Sequence, residues 1–399
     1  MFMKAQNLIT KNALRQLEQK ESIIASARKQ DALEVFRALP NHKEKEEDWR
    51  YTPIEKLRLE NFEPFESRVT IEISDLSHDL KEKGIIFTDI NTALEKYPAA
   101  LNYFFKSTKW DKDKFTALNA AFFTNGYFLY VPKNIELNEP LRGIIKVEEN
   151  SLVHNLVVIE QNSKIDFIEE YSNNENKKEQ LNVAATEVYA NNNSTVNFYH
   201  INNWTPNLDN ITNIIGTTER NASINWISGC FGGKLNRVKI DTNFNGEGSS
   251  CTNLGILLGK GQEHIDFTTN VYHNVENTTN NILVDGILKG SSSAVYRGLI
   301  KIEKAAQKTN SYLANHILKL GDKTLANSIP SLKIDANDVK ASHGATVGQI
   351  SEEHLFYLMS RGLSRQEAEK LIVEGFFEPI IQKIPLEELR EKIREMVRR

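Results

Sequence analysis

The sequence predicts a mainly β protein, a right-handed parallel β-helix core over residues 136–350 between two α-helical ends. Three observations carry this reading. Short β-branched and aromatic runs alternate with polar turn clusters between residues 140 and 350. Small or polar pairs introduce several of these runs at intervals of roughly 30 residues, about the length of one rung in a stacked solenoid. Apolar residues at helical spacing are confined to the two ends of the chain.

Residues 1–135 form an N-terminal helical and mixed region. Leu8, Ile9, Leu14, Leu17, Ile23, Ile24, Leu33, Val35, Phe36 and Leu39 recur at helical spacing, and Pro40 ends the pattern. The charged stretch 42–49 reads as a solvated helix end or loop leading into Trp49-Arg50-Tyr51-Thr52-Pro53. Helix-like patches surround Ile90–Tyr97 and Phe115–Phe123. The rest of 54–135 shows no clear period.

In the β region the strand candidates include Ile144–Val147, Leu156–Ile159, Ser194–Tyr199, Ser223–Ile227, Ala294–Ile300 and Leu332–Ile334. The introducing pairs are Asn162-Ser163, Asn193-Ser194, Asn221-Ala222 and, a little over two intervals further on, Ser291-Ser292. One rung of two or three short strands cannot bury its inner face alone, so stacked neighbours supply the core. A Greek-key sandwich is the alternative, although its turn signals would fall about every 8–12 residues.

Residues 351–399 return to helix. Ser351 can cap a helix with Glu352 and Glu353 in its first turn, where the dipole favours acids, and Gly362 is a natural stop. Ser364 and Glu367 form a capping box. Beyond Pro385, Leu386, Leu389, Ile393 and Val397 make one apolar stripe. Such a unit packs on its own domain or docks a partner.

The formal charge of −4, from 53 acidic and 49 basic residues, gives no basic footprint for nucleic acid or an anionic membrane. No apolar run approaches the ~20 residues of a membrane helix, and the N-terminus lacks the apolar stretch of a signal peptide. Two cysteines are a weak disulfide framework for 399 residues. These features predict a soluble cytoplasmic protein.

Chemistry within the chain alone is hard to find. Gly229 to Lys234 and Gly255 to Lys260 miss the P-loop spacing, so no ATP hydrolysis is expected. His264 and His273 lie nine apart with no Cys-x-x-Cys, which argues against zinc. Cys230 and Cys251 fall short of the four ligands an iron–sulfur cluster needs, and each reads as a small buried apolar residue. Asp266, Asp285, Asp335 and Asp338 could suggest a β-helical carbohydrate enzyme, but no motif groups them, and they read as local turn formers.

One long string is far more specific. Pro330-x-Leu332-x-Ile334, Asp338-Val339-Lys340, Ser342-His343-Gly344-Ala345-Thr346-x-Gly348 and Leu355-Phe356-Tyr357-x3-Arg361-Gly362 closely resemble the C-terminal signature of the SufB/SufD family of iron–sulfur cluster assembly scaffolds. Gly298–Ile302 with Ala306–Thr309, and Trp49-Arg50-Tyr51-Thr52, resemble the family more thinly. The resemblance implies a non-catalytic scaffold subunit with a β-helix between helical ends. It also implies a complex with SufB, through β-helix pairing, and with the ATPase SufC, docked on helices 351–399. Phe356, Tyr357, Arg361 and Gly362 inherit that SufC interface.

Within the family, Asn315 stands where SufB has an essential cysteine before Gly321-Asp322-Lys323, and His343-Gly344-Ala345 replaces a His-Glu-Ala. Both departures lie on the SufD side of the family. Many SufD sequences carry a cysteine two residues before the histidine; Ala341 here argues against a thiolate at that position. His343 is then the candidate cluster or iron ligand, since a neutral imidazole can bind iron beside a SufB cysteine. The competing role is a histidine that orders the interface by hydrogen bonds. No cofactor is expected on this chain alone, only a transient cluster in the complex, with flavin left open. Exposed strand edges also give the chain a reason to homodimerise without SufB.

Overall fold

The computed structural model describes residues 23–57, 59, 68–97, 100, 102–175 and 178–398. Two short strands, β1 (Val69–Ile73) and β2 (Ile86–Asp89), precede the long array. It runs β3 (Tyr127–Val131), β4 (Leu141–Val147), β5 (Ser151–Ile159), β6 (Lys164–Asn173), β7 (Gln180–Ala190), β8 (Thr195–Trp204), β9 (Leu208–Thr218) and β10 (Ser223–Gly232). It continues β11 (Leu235–Phe244), β12 (Ser250–Gly259), β13 (His264–His273), β14 (Thr279–Lys289), β15 (Ser293–Ile302), β16 (Thr309–Leu320), β17 (Leu325–Ile334) and β18 (Val339–Gln349). Even strands from β4 to β18 form one sheet and odd strands from β3 to β17 the other. Every neighbouring pair in these runs is parallel, so the sixteen strands make a solenoid of eight two-strand turns. The β-helix expectation holds and the sandwich does not.

The period seen in the sequence is a row of turns. Asn134, Asn162, Asn193 and Asn221 each adopt a left-handed φ of 56–61°, a conformation asparagine tolerates. Their carboxamides form a ladder, Asn221 to Asn193 at 3.1 Å, Asn193 to Asn162 and Asn162 to Asn134 at 2.9 Å. The small residue after each turn, Ser163, Ser194 or Ala222, is buried because the chain re-enters the core there. Ser291-Ser292 belongs to the opposite row, between β14 and β15, where Gly261 and Gly290 take the positive φ. Its spacing therefore matched the period without sharing the turn.

The lumen is mostly apolar, with Phe167, Phe198, Trp226, Phe244, Phe267 and Tyr296 stacked through successive turns. One buried acid interrupts it. Glu169 accepts from Tyr127 Oη at 2.8 Å, Asn155 Nδ2 and Thr186 Oγ1 at 2.9 Å, and faces His200 Nδ1 at 2.7 Å. These partners satisfy the carboxyl group away from water, as a buried polar group requires. Cys230 and Cys251 line the same core, their thiols pushed up to about 12 by burial.

Helices cover both outer faces. The short α2 (His78–Glu82), between β1 and β2, packs Leu80 on the lumen core, while α1 (Ile23–Ala38), α3 (Ile90–Lys96) and α4 (Lys114–Phe122) lie over the odd sheet. Asp89 and Asp113 cap α3 and α4 by accepting from the amides of Thr92 and Thr116. Leu33, Trp49, Phe104, Phe115 and Phe122 pack here with Leu152, Leu156 and Val183 of the sheet. The expected positions Leu8, Ile9, Leu14 and Leu17 lie outside the described residues.

Over the even sheet lie α6 (Arg365–Ile381) and α7 (Glu387–Arg398), after the more exposed α5 (Glu352–Ser360). Val373, Phe377, Leu389, Ile393 and Val397 bury against Tyr199, Ile227, Phe231 and Ile256. The apolar stripe read beyond Pro385 is thus spent inside the chain, with the helix beginning at Glu387. No described helix is long and apolar enough to cross a membrane.

Burial also sets an acid limit. It holds the imidazoles of His264 and His273 down at about 4, below the usual 6.5. Unfolding lets each take up a proton, so their contribution is complete above pH 6.5 and is lost as pH falls toward 4. Asp209, raised by burial to about 6, works in the opposite direction in that window. Glu263 and Asp285, also raised by burial, oppose the histidines too, and each histidine on its own is worth up to one proton, or ~1.4 kcal/mol per pH unit. Urea midpoints between pH 4.5 and 6.5 should show a shallower slope in His273→Gln than in the wild type; equal slopes would refute the assignment.

Candidate functional site

Each inner position of the solenoid is covered by the same position one turn later. The register runs Ile282–Leu313–His343 and Val284–Asn315–Ala345 through β14, β16 and β18. Leu313 and Asn315 are fully buried, but β18 has no strand beyond it among the described residues. His343 therefore occupies a core-facing position on a free edge and is exposed. The partner sheet ends the same way at β17. Ile302 and Ile317 are buried, whereas their register partners Ile334 and Val347 are 40% and 44% exposed. The last turn is an open mouth.

Beneath His343 the mouth is polar at one point. Asn315 donates from Nδ2 to the Val284 carbonyl at 2.8 Å and accepts at Oδ1 from Ser328 Oγ at 2.7 Å. That pair links β16 to β17 across the lumen, and sequence reasoning gave Asn315 no such role. No hydrogen bond or ion pair ties the His343 ring to another described residue, so both ring nitrogens are available. Among the described residues no group of three or more His, Cys, Asp or Glu is gathered to hold a metal. His343 can supply one ligand, and a complete cluster site needs donors from elsewhere.

The other singled-out residues lie on and just past α5. Ser351 caps it by accepting from the His354 amide, and Leu355 anchors its inner face. Phe356 is 73% and Tyr357 56% exposed. Arg361 lies over the Tyr357 ring at 5.3 Å and donates to its hydroxyl at 3.3 Å. Gly362 takes φ +96° and its amide bonds the Met359 carbonyl, so the stop depends on glycine. With Met359, Phe356 and Tyr357 leave apolar surface uncovered on the helix that follows β18, and Leu371 of α6 is exposed as well. α5 and His343 sit on separate elements.

Two acids read as turn formers are not. Asp266 lies inside β13, fully buried, with Arg237 and Arg297 on its two oxygens and the Thr52 hydroxyl donating to it. Burial alone raises its pKa, but the two guanidiniums and Thr52 outweigh that and hold it below the usual carboxylate range. Arg297 also donates to the Arg50 carbonyl, and Trp49 lies 4.0 Å from the Arg237 guanidinium. The Trp49–Thr52 element is thereby bolted to the solenoid. Asp285, on β14, pairs with His316 at 2.8 Å. His264 and His273 are buried and bonded to Ser293 and to Thr278 and Asn280, as hydrogen-bonded β residues should be.

Comparison with known proteins agrees with this geometry. The SufBD core domain of SUF-system FeS cluster assembly matches residues 144–376, and the SufBD protein N-terminal region matches 72–142. The chain is similar to the iron–sulfur cluster assembly protein SufD of Bacillus subtilis, 33% identical over 330 residues, 81% of this chain and 76% of that protein. It is also similar to an iron–sulfur cluster assembly SufBD family protein of Staphylococcus epidermidis, 30% identical over 328 residues, 81% of this chain and 70% of the relative. A Staphylococcus aureus member is 31% identical over the same shares. With the matched core spanning most of the solenoid, the chain belongs to the SufB/SufD family of SUF-system iron–sulfur cluster assembly proteins.

Proposed function

We propose that this chain is the scaffold subunit that pairs its open last turn with SufB and presents His343 to the nascent cluster. The supporting observation is the position of His343: core-facing, exposed, without a partner, on the free edge strand β18. A second solenoid adding strands to β17 and β18 would supply the missing inner layer and bring its own donors over His343. Free strand edges are templates for such pairing. The imidazole would then give iron one neutral nitrogen ligand, the remainder coming from the partner, with the cluster as cargo. In isolation the same edges favour a homodimer.

The exposed Phe356–Tyr357 patch on α5, closed by Arg361 and Gly362, is the surface we assign to the SufC ATPase. Because α6 and α7 spend their apolar stripes on the even sheet, α5 is left to dock. Nucleotide-driven movement of SufC, carried through these helices, would rearrange the mouth of the solenoid. Co-purification with SufB and SufC, then anaerobic cluster reconstitution, tests the reading. His343→Ala should leave the complex intact and lower cluster yield at least tenfold. A normal yield from an intact complex would make the chain a structural subunit that only positions SufB and SufC.

A further inference from the structure

Backbone strain singles out Tyr51. Its φ of +67° lies in the left-handed region, which a bulky residue seldom enters. Besides asparagines and glycines, only Phe105 and Lys308 share it among the described residues. Phe105 has a visible reason, since its amide bonds the buried Glu187 carboxylate at 2.6 Å. Lys308 occupies the turn between β15 and β16, in the same row as Asn277. The Tyr51 ring, by contrast, is 47% exposed and rests against the Arg50 guanidinium, 5.0 Å away.

Its neighbours hold the strain in place. Trp49 packs on Arg237 of β11, the Arg50 carbonyl accepts from Arg297 of β15, and Thr52 donates to Asp266 of β13. The segment therefore climbs the outer face of the odd sheet and turns back, with Arg50–Tyr51 at its apex. That apex contacts β15, one strand short of the free edge β17. Trp49 and Thr52 are buried and do the anchoring; the Tyr51 side chain adds nothing to it. Strain of this kind persists only where the surroundings over-determine it, and it marks places where a side chain is displayed for use.

We propose that Tyr51 is a docking residue for the second solenoid, the chain that extends the odd sheet beyond β17. The inference rests on the reading above, that the open turn pairs with the SufB paralogue. A strand added to β17 would pass beside the apex, where an aromatic ring backed by a guanidinium offers a rigid contact of the kind that dominates interfaces. Leu325, outward on β17 and 66% exposed, continues that surface.

Glycine accepts the left-handed conformation without strain, so Tyr51→Gly separates display from architecture. In the full-length chain its thermal midpoint should change little, while affinity for purified SufB falls about tenfold or more. Tyr51→Phe should bind like the wild type. Val347→Asp, which charges the open mouth on β18, is the parallel control and should abolish binding. If Val347→Asp abolishes binding and Tyr51→Gly binds normally, the role of Tyr51 is overturned and the open-turn reading stands. If neither variant weakens binding, or the wild type does not bind SufB, the open-turn reading fails and the role of Tyr51 with it.

Discussion

Replacing Glu187 by alanine should destabilise the chain by about 4 kcal/mol or more and release the segment around residues 103–108 from the solenoid. Glu187 lies on β7, fully buried, and accepts from the amides of Phe105, Ser107 and Thr108 at 2.6, 2.9 and 3.2 Å. Tyr189 Oη donates to it at 2.9 Å and His154 Nε2 lies at 3.1 Å. Burial pushes its pKa up, but His154 and these hydrogen bonds prevail and hold it below the usual range. Alanine would leave three amides unpaired in a largely buried site, each costing ~1–3 kcal/mol, while the Tyr189 hydroxyl keeps the Tyr103 carbonyl at 2.9 Å. Glu187→Gln keeps one acceptor oxygen and should lose about half as much. Urea denaturation gives the energy, and limited proteolysis near Phe105 gives the release. A loss under ~1 kcal/mol would show that the site relaxes or takes in water.

Asp266→Ala should cost about 3–5 kcal/mol, because it strands the Arg237 and Arg297 guanidiniums in a buried site. Among the described residues Asp266 is the only acid in a close ion pair with either guanidinium. The telling comparison is the double variant Asp266→Ala with Arg297→Met. Removing a stranded charge along with its partner recovers stability, as buried ion pairs replaced by apolar groups generally do. Midpoints for the two proteins decide it: a double variant no more stable than the single would mean that packing, not the unpaired charge, sets the loss. Tryptophan fluorescence should report both changes, since Trp49 sits on Arg237.

These two acids mark where the sequence stops being legible. Periodicity exposes what is repeated, so several strands, the spacing of the turn pairs and the C-terminal helices could be read in advance, while the left-handed asparagines in those turns could not. Ser351, Ser364 and Gly362 act as caps and stop because their partners are three or four residues away. Glu187 and Asp266 draw partners 79–82 and 214 residues away, and no local pattern encodes such a meeting. Residues 54–135 resisted assignment for a related reason: β1 and β2 are short and pair antiparallel with β4 and β3, outside the repeat. His343 entered through family resemblance. What the structure adds is a physical reason for its exposure, a core position with nothing above it.

The two ends of the solenoid differ in a way that limits how it can assemble. At the first turn β1 and β2 run antiparallel across β4 and β3, and Glu72 of β1 forms a surface ion pair with Lys146 of β4. At the last turn β17 and β18 offer bare backbone. In the language of polymer chemistry, the proposed pairing makes the molecule monofunctional: one long reactive end, and one end shortened and reversed. Head-to-tail growth, the route by which repetitive β structures become fibres, would have to dock parallel edges onto β1 and β2, which are only five and four residues long and run against the repeat. Mouth-to-mouth contact closes after two bodies. On the proposed pairing, a repeat that could in principle stack without limit would stop at pairs, its stoichiometry set by the few strands at its two ends rather than by those between them.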